Sequence, residues 1–299
     1  PSPSANAGTD QSVCENNSDI LLSGSITLAS GGLWSGGNGI YTPSTSALNA
    51  VYTPTPTEIS NGSLTLTLTT TGNGNCNAES DQVTFTFTPA PIVTAGTDGI
   101  FCSNNADISL SGSVSGASGG QWTGGLGSYS PNSQTLNATY TPSASELAAG
   151  TVTLTLESTG NGTCLTVTDD VSYTFTPSPT VDAGTDQSVC SNNAEVSLSG
   201  TITVATGGQW SGGSGLFNPN ANNLNAIYTP TAAEIASGSM KLYLTTTGNA
   251  LCLPEIDSVL IVFTPAPIAN AGEDQTVCAN NADVNLNGNV IGATGGIWS

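Results

Sequence analysis

The sequence predicts an all-β chain made of tandem copies of one small domain, and three observations predict it. The first is a period: Trp34, Trp122, Trp210 and Trp298 stand 88 residues apart, and so do Cys14, Cys102, Cys190 and Cys278. The remaining cysteines, Cys76, Cys164 and Cys252, step by the same interval. The second is alternation of apolar residues with Ser and Thr over short runs, the pattern of strands with one buried face. The third is composition: 36 Gly and only 7% charged residues among 299 suit a turn-rich β chain better than a helical one. The period divides the chain into copies at 1–88, 89–176 and 177–264, with the start of a fourth at 265–299. The row of copies is expected to continue past Ser299, because 35 residues ending just after a Trp do not complete a domain.

Within a copy the elements follow in order. Each opens on Pro-x-Pro (Pro1 and Pro3, Pro89 and Pro91, Pro177 and Pro179, Pro265 and Pro267). Proline fixes φ and restricts its predecessor, so this is expected to be a short, stiff joint. An Ala-Gly-x-Asp turn and a Cys follow, then paired Asn residues (Asn16-Asn17, Asn104-Asn105, Asn192-Asn193, Asn280-Asn281) that suit a turn. In copy 2, Ile108, Leu110 and Val114 alternate with Ser, predicting a strand. Gly-Gly-x-Trp comes next, with the Trp as the large aromatic anchor of the core and the Gly residues allowing close chain approach. Thr55-Pro56-Thr57-Glu58 has the form of a helical capping box, repeated at Ser143 to Glu146 and Thr231 to Glu234, with Gly62, Gly150 and Gly238 as stops. The recurring Glu residues are read as caps, not as catalytic acids, since no partner acid or base accompanies them. Two longer strands close the copy (Val152, Leu154, Leu156; Val171, Tyr173, Phe175), joined through Thr159-Gly160-Asn161-Gly162, a hairpin signal. About seven short strands, frequent turns and a Trp on the third strand describe an immunoglobulin-like β-sandwich. Trp34, Trp122 and Trp210 are its expected core residues.

Composition excludes much function. There are 21 acidic residues, one basic residue (Lys241), no Arg and no His, for a net charge of −20. Nucleic-acid binding needs clustered Lys and Arg. Nucleophilic triads need a base, which is missing. No paired acids recur for acid–base work, so an enzyme is not expected. No apolar run approaches the ~18–20 residues that span a bilayer, and no signal-peptide pattern opens the chain. The acids fall six to each of the three copies and three in the remainder, an even coat along the chain.

Regularly spaced Cys without CxxC or His point to disulfides and an oxidising compartment. Three pairings are open. Pairing within a copy gives Cys14–Cys76, Cys102–Cys164 and Cys190–Cys252, and is placed slightly ahead. Pairing across a junction gives Cys14–Cys164 and Cys102–Cys252. It is nearly level, because an immunoglobulin-like topology puts Cys14 and Cys76 at opposite ends of a strand of ~17–20 Å. Pairing across the Pro joint gives Cys76–Cys102. Cys278 would find its partner past Ser299.

Asp10, Asp98 and Asp186 recur in Ala-Gly-x-Asp, and Asp81, Asp169 and Asp257 just before the last strand. Near domain junctions these are candidates for Ca²⁺, although the clustered ligands that Ca²⁺ favours are missing and turn capping is the preferred reading. Asn16, Asn61, Asn137 and Asn161 lie in glycosylation sequons.

Ala-Gly-Thr-Asp-Gln-Ser-Val-Cys (7–14 and 183–190) resembles the opening of PKD-type and related immunoglobulin-like repeats. With Gly-Gly-x-Trp-Ser-Gly-Gly, Leu-Asn-Ala-x-Tyr-Thr-Pro and Leu-Thr-Thr-Thr-Gly-Asn, the chain is similar to tandem repeats of very large secreted surface proteins of Bacteroidota. It departs from PKD domains in lacking their Trp-Asp-Phe-Gly-Asp-Gly core. The resemblance implies an adhesin or a gliding-associated filament at the cell surface, exported by the type IX pathway. The expected role is a non-catalytic stalk or filament segment. Its expected partners are neighbouring copies of the same chain, identical chains in a fibre, and a surface glycan or substratum. An array of carbohydrate-binding modules on a secreted polysaccharide-degrading protein is the alternative.

Overall fold

The computed structural model describes residues 1–299. Copy 1 shows the plan: β1 (Ser4–Asn6), β2 (Gln11–Cys14), β3 (Ile20–Leu21), β4 (Ser25–Thr27), β5 (Gly31–Ser35), β6 (Ile40–Thr42), β7 (Val51–Thr53), the short helix α1 (Pro56–Ser60), β8 (Ser63–Thr71) and β9 (Ser80–Thr88). One sheet has the order β2-β9-β8-β5, with β2 parallel to β9 and the other pairs antiparallel. The facing layer is built from β3-β7-β6 and from β1 paired with β4. β3 and β4 are two parts of one path, since Leu22 N–H donates to Ala50 C=O at 2.9 Å and Gly24 N–H to Leu48 C=O at 3.0 Å between them. This is an immunoglobulin-like sandwich, and the chain is a tandem array of such units. The same elements recur from Ile92–Thr94 to Thr168–Thr176 and from Thr180–Asp182 to Ile256–Thr264. In residues 265–299 one strand pair forms, Ile268–Asn270 with Asn289–Ile291. No helix is long and apolar enough to cross a membrane.

Two compact units are present. The first is Pro1–Ile100 with Ala106–Thr174, and the second is Phe101–Asn105 with Phe175–Ser299. The five residues Phe101–Asn105 belong to the second unit, and Cys102 is bonded to Cys252 there.

Period-two alternation builds the core. Along β8 the side chains of Leu64, Leu66 and Leu68 are buried while Thr65 is exposed. Thr70 continues the inward face, and its polar group is satisfied locally: Glu79 N–H donates to Thr70 Oγ1 at 3.0 Å, and Thr70 N–H donates to Glu79 C=O at 2.9 Å. Ser158 and Thr246 repeat the device. Trp34, Trp122 and Trp210 are 1–2% exposed. Each lies opposite a buried Leu of the neighbouring strand (Trp34 opposite Leu68, Trp122 opposite Leu156, Trp210 opposite Leu244). Each indole N–H donates to a main-chain carbonyl, Trp122 to Leu136 at 3.1 Å. Tying the indole N–H lets so large a side chain be buried without an orphaned donor.

Gly112 passes under the Trp122 ring. A Cβ there would lie 2.7 Å from Leu156 Cδ2 and 2.8 Å from Trp122 Cζ2, and Gly112 N–H shares the Leu136 carbonyl with the indole at 3.1 Å. Overpacking of this kind costs ~1–3 kcal/mol. Gly112→Ala is therefore expected to speed native-state amide exchange of Leu154 and Leu156, which reports opening of that copy. Unchanged exchange would show that the layer spacing there is slack.

Candidate functional site

The recurring cysteines meet at the joints. β2 runs parallel to β9 with Cys14 opposite Thr88, the last strand residue of copy 1. Glu15 N–H donates to Thr88 C=O at 3.0 Å, and Asn17 N–H closes the turn on Cys14 C=O at 3.1 Å. The turn Cys14–Asn17 is thereby held where copy 1 ends and copy 2 begins. Within the first unit it meets the last hairpin of copy 2. Cys14 and Cys164 form a disulfide with Cα atoms 4.9 Å apart. The Asn16 side-chain amide pairs with Leu165 main chain in both directions, Nδ2 donating to the carbonyl at 3.1 Å and Oδ1 accepting from N–H at 3.0 Å. Asn17 Nδ2 donates to Thr163 C=O at 2.9 Å. One staple and three hydrogen bonds hold the joint.

The second unit repeats this arrangement. Cys102 and Cys252 are bonded, with Cα atoms 5.0 Å apart. Asn104 makes the same reciprocal pair with Leu253, both bonds at 3.1 Å, and Asn105 Nδ2 donates to Leu251 C=O at 3.3 Å. Asn104 Nδ2 also donates to Glu255 Oε1 at 2.7 Å. Ser178 N–H, in the Pro177–Pro179 segment, donates to Ser103 Oγ at 2.9 Å, and Pro179 is buried.

These pairings correct the expectation of bonds within a copy. Cys14–Cys76, Cys102–Cys164 and Cys190–Cys252 do not form, and neither does Cys76–Cys102. The reason is strand length. Cys14 lies beside the end of β9 and Cys76 before its start, so nine residues, ~30 Å of strand, separate them, whereas a disulfide needs Cα atoms ~4.4–6.8 Å apart. Cys76, Cys190 and Cys278 are free thiols, the first and last of them exposed. The Asn pairs were read as turns, and their second use across the joint was missed. The available signal was their fixed place: Cys-x-Asn-Asn occurs in every copy.

The recurring Glu residues anchor a second cluster. Glu146 completes the capping box with Ser143 at the start of Ala144–Ala149. Its carboxylate also accepts from Tyr140 hydroxyl at 2.7 Å and from Leu126 N–H at 2.7 Å. It thus ties a helical turn, a strand and the loop after the Trp strand. Glu58 does the same with Thr55, Tyr52 and Asn38, and Glu234 with Thr231, Tyr228 and Ser214. Burial opposes charge on Glu146. The hydrogen bonds from Ser143, Tyr140 and Leu126 outweigh it, so the carboxyl titrates below its ordinary value. Burial, then the bond to Glu146, pushes the Tyr140 hydroxyl up. The capping box was readable as S/T-x-x-E; the Tyr and the loop were not, because they come from elsewhere in the copy.

The calcium candidates serve the backbone. Asp10 Oδ1 accepts from Thr84 N–H and Asp81 Oδ2 from Ala7 N–H, both at 2.8 Å, fastening the β1–β2 corner to β9. Asp98 and Asp169 bond Ser172 and Ala95, and Asp186 and Asp257 bond Leu260 and Ala183, in the same way. No group of three or more His, Cys, Asp or Glu side chains comes together, whereas Ca²⁺ takes about 6–8 oxygens.

No family model and no curated protein matches the sequence. Solved structures of tandem domains are similar in fold. A titin fragment, domains I67–I69, is 11% identical over 88% of this chain and 99% of its own, with a TM-score of 0.44. Mouse cadherin-23 EC22–24 is 12% identical over 89% and 99%, at 0.31. Sidekick-1 immunoglobulin domains 1–5 are 12% identical over 89% and 60%, at 0.33. At these levels the likeness carries no function across.

Two outcomes test the site. Trypsin has one site, after Lys241, which lies between Cys102 and Cys252. After thiol blocking and denaturation without reductant, the cut chain is expected to stay joined in the parent and in Cys190→Ser, and to separate in Cys102→Ser. Separation of the Cys190→Ser chain would restore the within-copy pairing. The second outcome concerns pH. The Glu146 carboxyl is depressed in the folded state, so its contribution is present above the unfolded value of ~4.3 and is lost as pH falls through the lower folded value. Glu146→Gln is expected to cost roughly 2 kcal/mol near pH 7, with the gap to the parent closing as pH falls below the unfolded value of ~4.3 and through the lower folded one. Acid also relieves repulsion among the other carboxylates, which is common to both chains. A gap independent of pH in denaturant titrations would remove the charge from the account.

Proposed function

We propose that the chain is a non-catalytic stalk or filament segment of an extracellular bacterial surface adhesin, with domains at 1–88, 89–176 and 177–264 acting as spacers. The joint carries this reading. A domain whose role is to hold a neighbour at fixed spacing needs restraint at the contact, and here a disulfide and a set of side-chain-to-backbone bonds lie between the Cys-x-Asn-Asn turn and the hairpin of the following copy. Disulfides of this kind persist in oxidising surroundings, which supports an extracellular location. The even acidic coat favours solubility and spacing between chains. Glu58, Glu146 and Glu234 are committed to helical caps, and Asp10 and Asp81 with their equivalents to the corners. The resemblance to repeats of large secreted proteins of Bacteroidota supports type IX export and a surface position, with adhesion in a tip domain or in weak contacts multiplied over copies.

Antibodies raised against the folded chain are expected to label intact source cells, and electron microscopy to show thin surface structures carrying the label. Label that appears only after lysis would overturn the reading. Tight binding of the chain to polysaccharides on a glycan array would favour the carbohydrate-binding alternative.

A further inference from the structure

The two staples overlap. One closes residues 14–164 and the other closes 102–252, so both enclose 102–164, most of copy 2. We propose that this overlap makes the chain a tension-bearing tether whose extension has a covalent limit. It rests on connectivity, not on the stalk reading, and it holds whatever the chain is anchored to.

In a row of uncrosslinked domains, tension that unfolds one copy releases all of its residues, and each residue adds up to ~3.5 Å. Here tension between Pro1 and Ser299 follows the shortest covalent route. That route runs from Pro1 to Cys14, crosses to Cys164, returns along the chain to Cys102, crosses to Cys252 and continues to Ser299. It contains about 120 residues, or ~430 Å when fully drawn out. The rest of the 299 residues lie in closed branches and add no length even when unfolded. The route also decides which parts carry load to the limit. In copy 1 only residues 1–14 lie on it, so the strands from Ile20 to Thr88 are bypassed. In copy 3 the strands from Thr180 to Thr247 are bypassed, and only the last strand lies on the route. Copy 2 is loaded at Cys102 and Cys164. The hairpin cysteine of one copy and the turn cysteine of another thus act as entry and exit points for force, and most of two cores are sheltered.

Single-molecule stretching between handles at the two ends tests this on the oxidised 299-residue chain, with Cys76, Cys190 and Cys278 alkylated. The fully drawn length is expected to be ~430 Å, rising about 2.4-fold to ~1,050 Å in a dithiol reductant. Cys102→Ser should stop near ~520 Å, because its shortest route crosses one staple only. Cys76→Ser/Cys190→Ser should match the parent. An oxidised chain that draws out as far as the reduced one would overturn the proposal. So would a longer Cys76→Ser/Cys190→Ser chain, since it would place the bonds within copies. The stalk reading fails separately: a ~430 Å limit in a chain that never reaches the cell surface would leave this inference standing.

Discussion

Everything particular to this chain depends on one strand pairing, the parallel contact of β2 with β9. An ordinary antiparallel meander would leave the first cysteine anywhere along the first strand. The parallel register sets Cys14 opposite Thr88, where one copy hands over to the next. Direction matters as much as position, because the turn that follows Cys14 then points Asn16 and Asn17 away from their own sheet. A disulfide adds to this mainly by limiting the unfolded chain, about 5 kcal/mol for a loop of 150 residues in the chain-entropy model. The asparagines add direction, since an amide that both donates to and accepts from one main-chain segment fixes orientation as a strand neighbour would.

The acidic composition imposes the second constraint. With one lysine and no arginine or histidine, the recurring carboxylates cannot be paired with cations in each copy. They are satisfied by main-chain N–H and by hydroxyls instead: Asp10 and Asp81 at the β1–β2 corner, and Glu58 at the helical turn with Tyr52. Such bonds are short-range and charge-assisted, so they hold geometry without long-range attraction between unlike surfaces. The same sites that look like scattered metal ligands or catalytic acids in sequence are therefore where the backbone changes direction.

What was legible in the sequence was local. Alternation in Leu64, Leu66 and Leu68, the Gly-Gly-x-Trp step and the Thr55–Glu58 box each state their own conformation within a few residues. The sandwich follows from repeating them. What was not legible came from contacts between distant segments. Cys14 has its partner 150 residues on, past a nearer cysteine that fits the loop-entropy argument equally well. Only strand length and the parallel register separate the two. Asn16 and Asn17 satisfy every local rule for a turn, and nothing in that rule reveals a second use of the same amides. Tyr52 reads as a core aromatic, and its hydroxyl becomes informative only once Glu58 lies at 2.8 Å.

The period and the staple length together have a consequence that neither has alone. A bond between neighbours must span more than one repeat whenever its first cysteine lies early in a copy and its second lies late in the next. Here the span is 150 residues against a spacing of 88. Successive staples in such a row must enclose common residues, so copy 2, which lies between two neighbours, is held by both bonds. If the two cysteines instead lay close to either side of the Pro joint, the staples would be short and separate, and each domain between them would carry the full tension through its own strands. The placement of Cys14 at the end of β2 and Cys164 in the last hairpin selects the overlapping arrangement, and the 88-residue recurrence of those cysteines repeats it at Cys102 and Cys252.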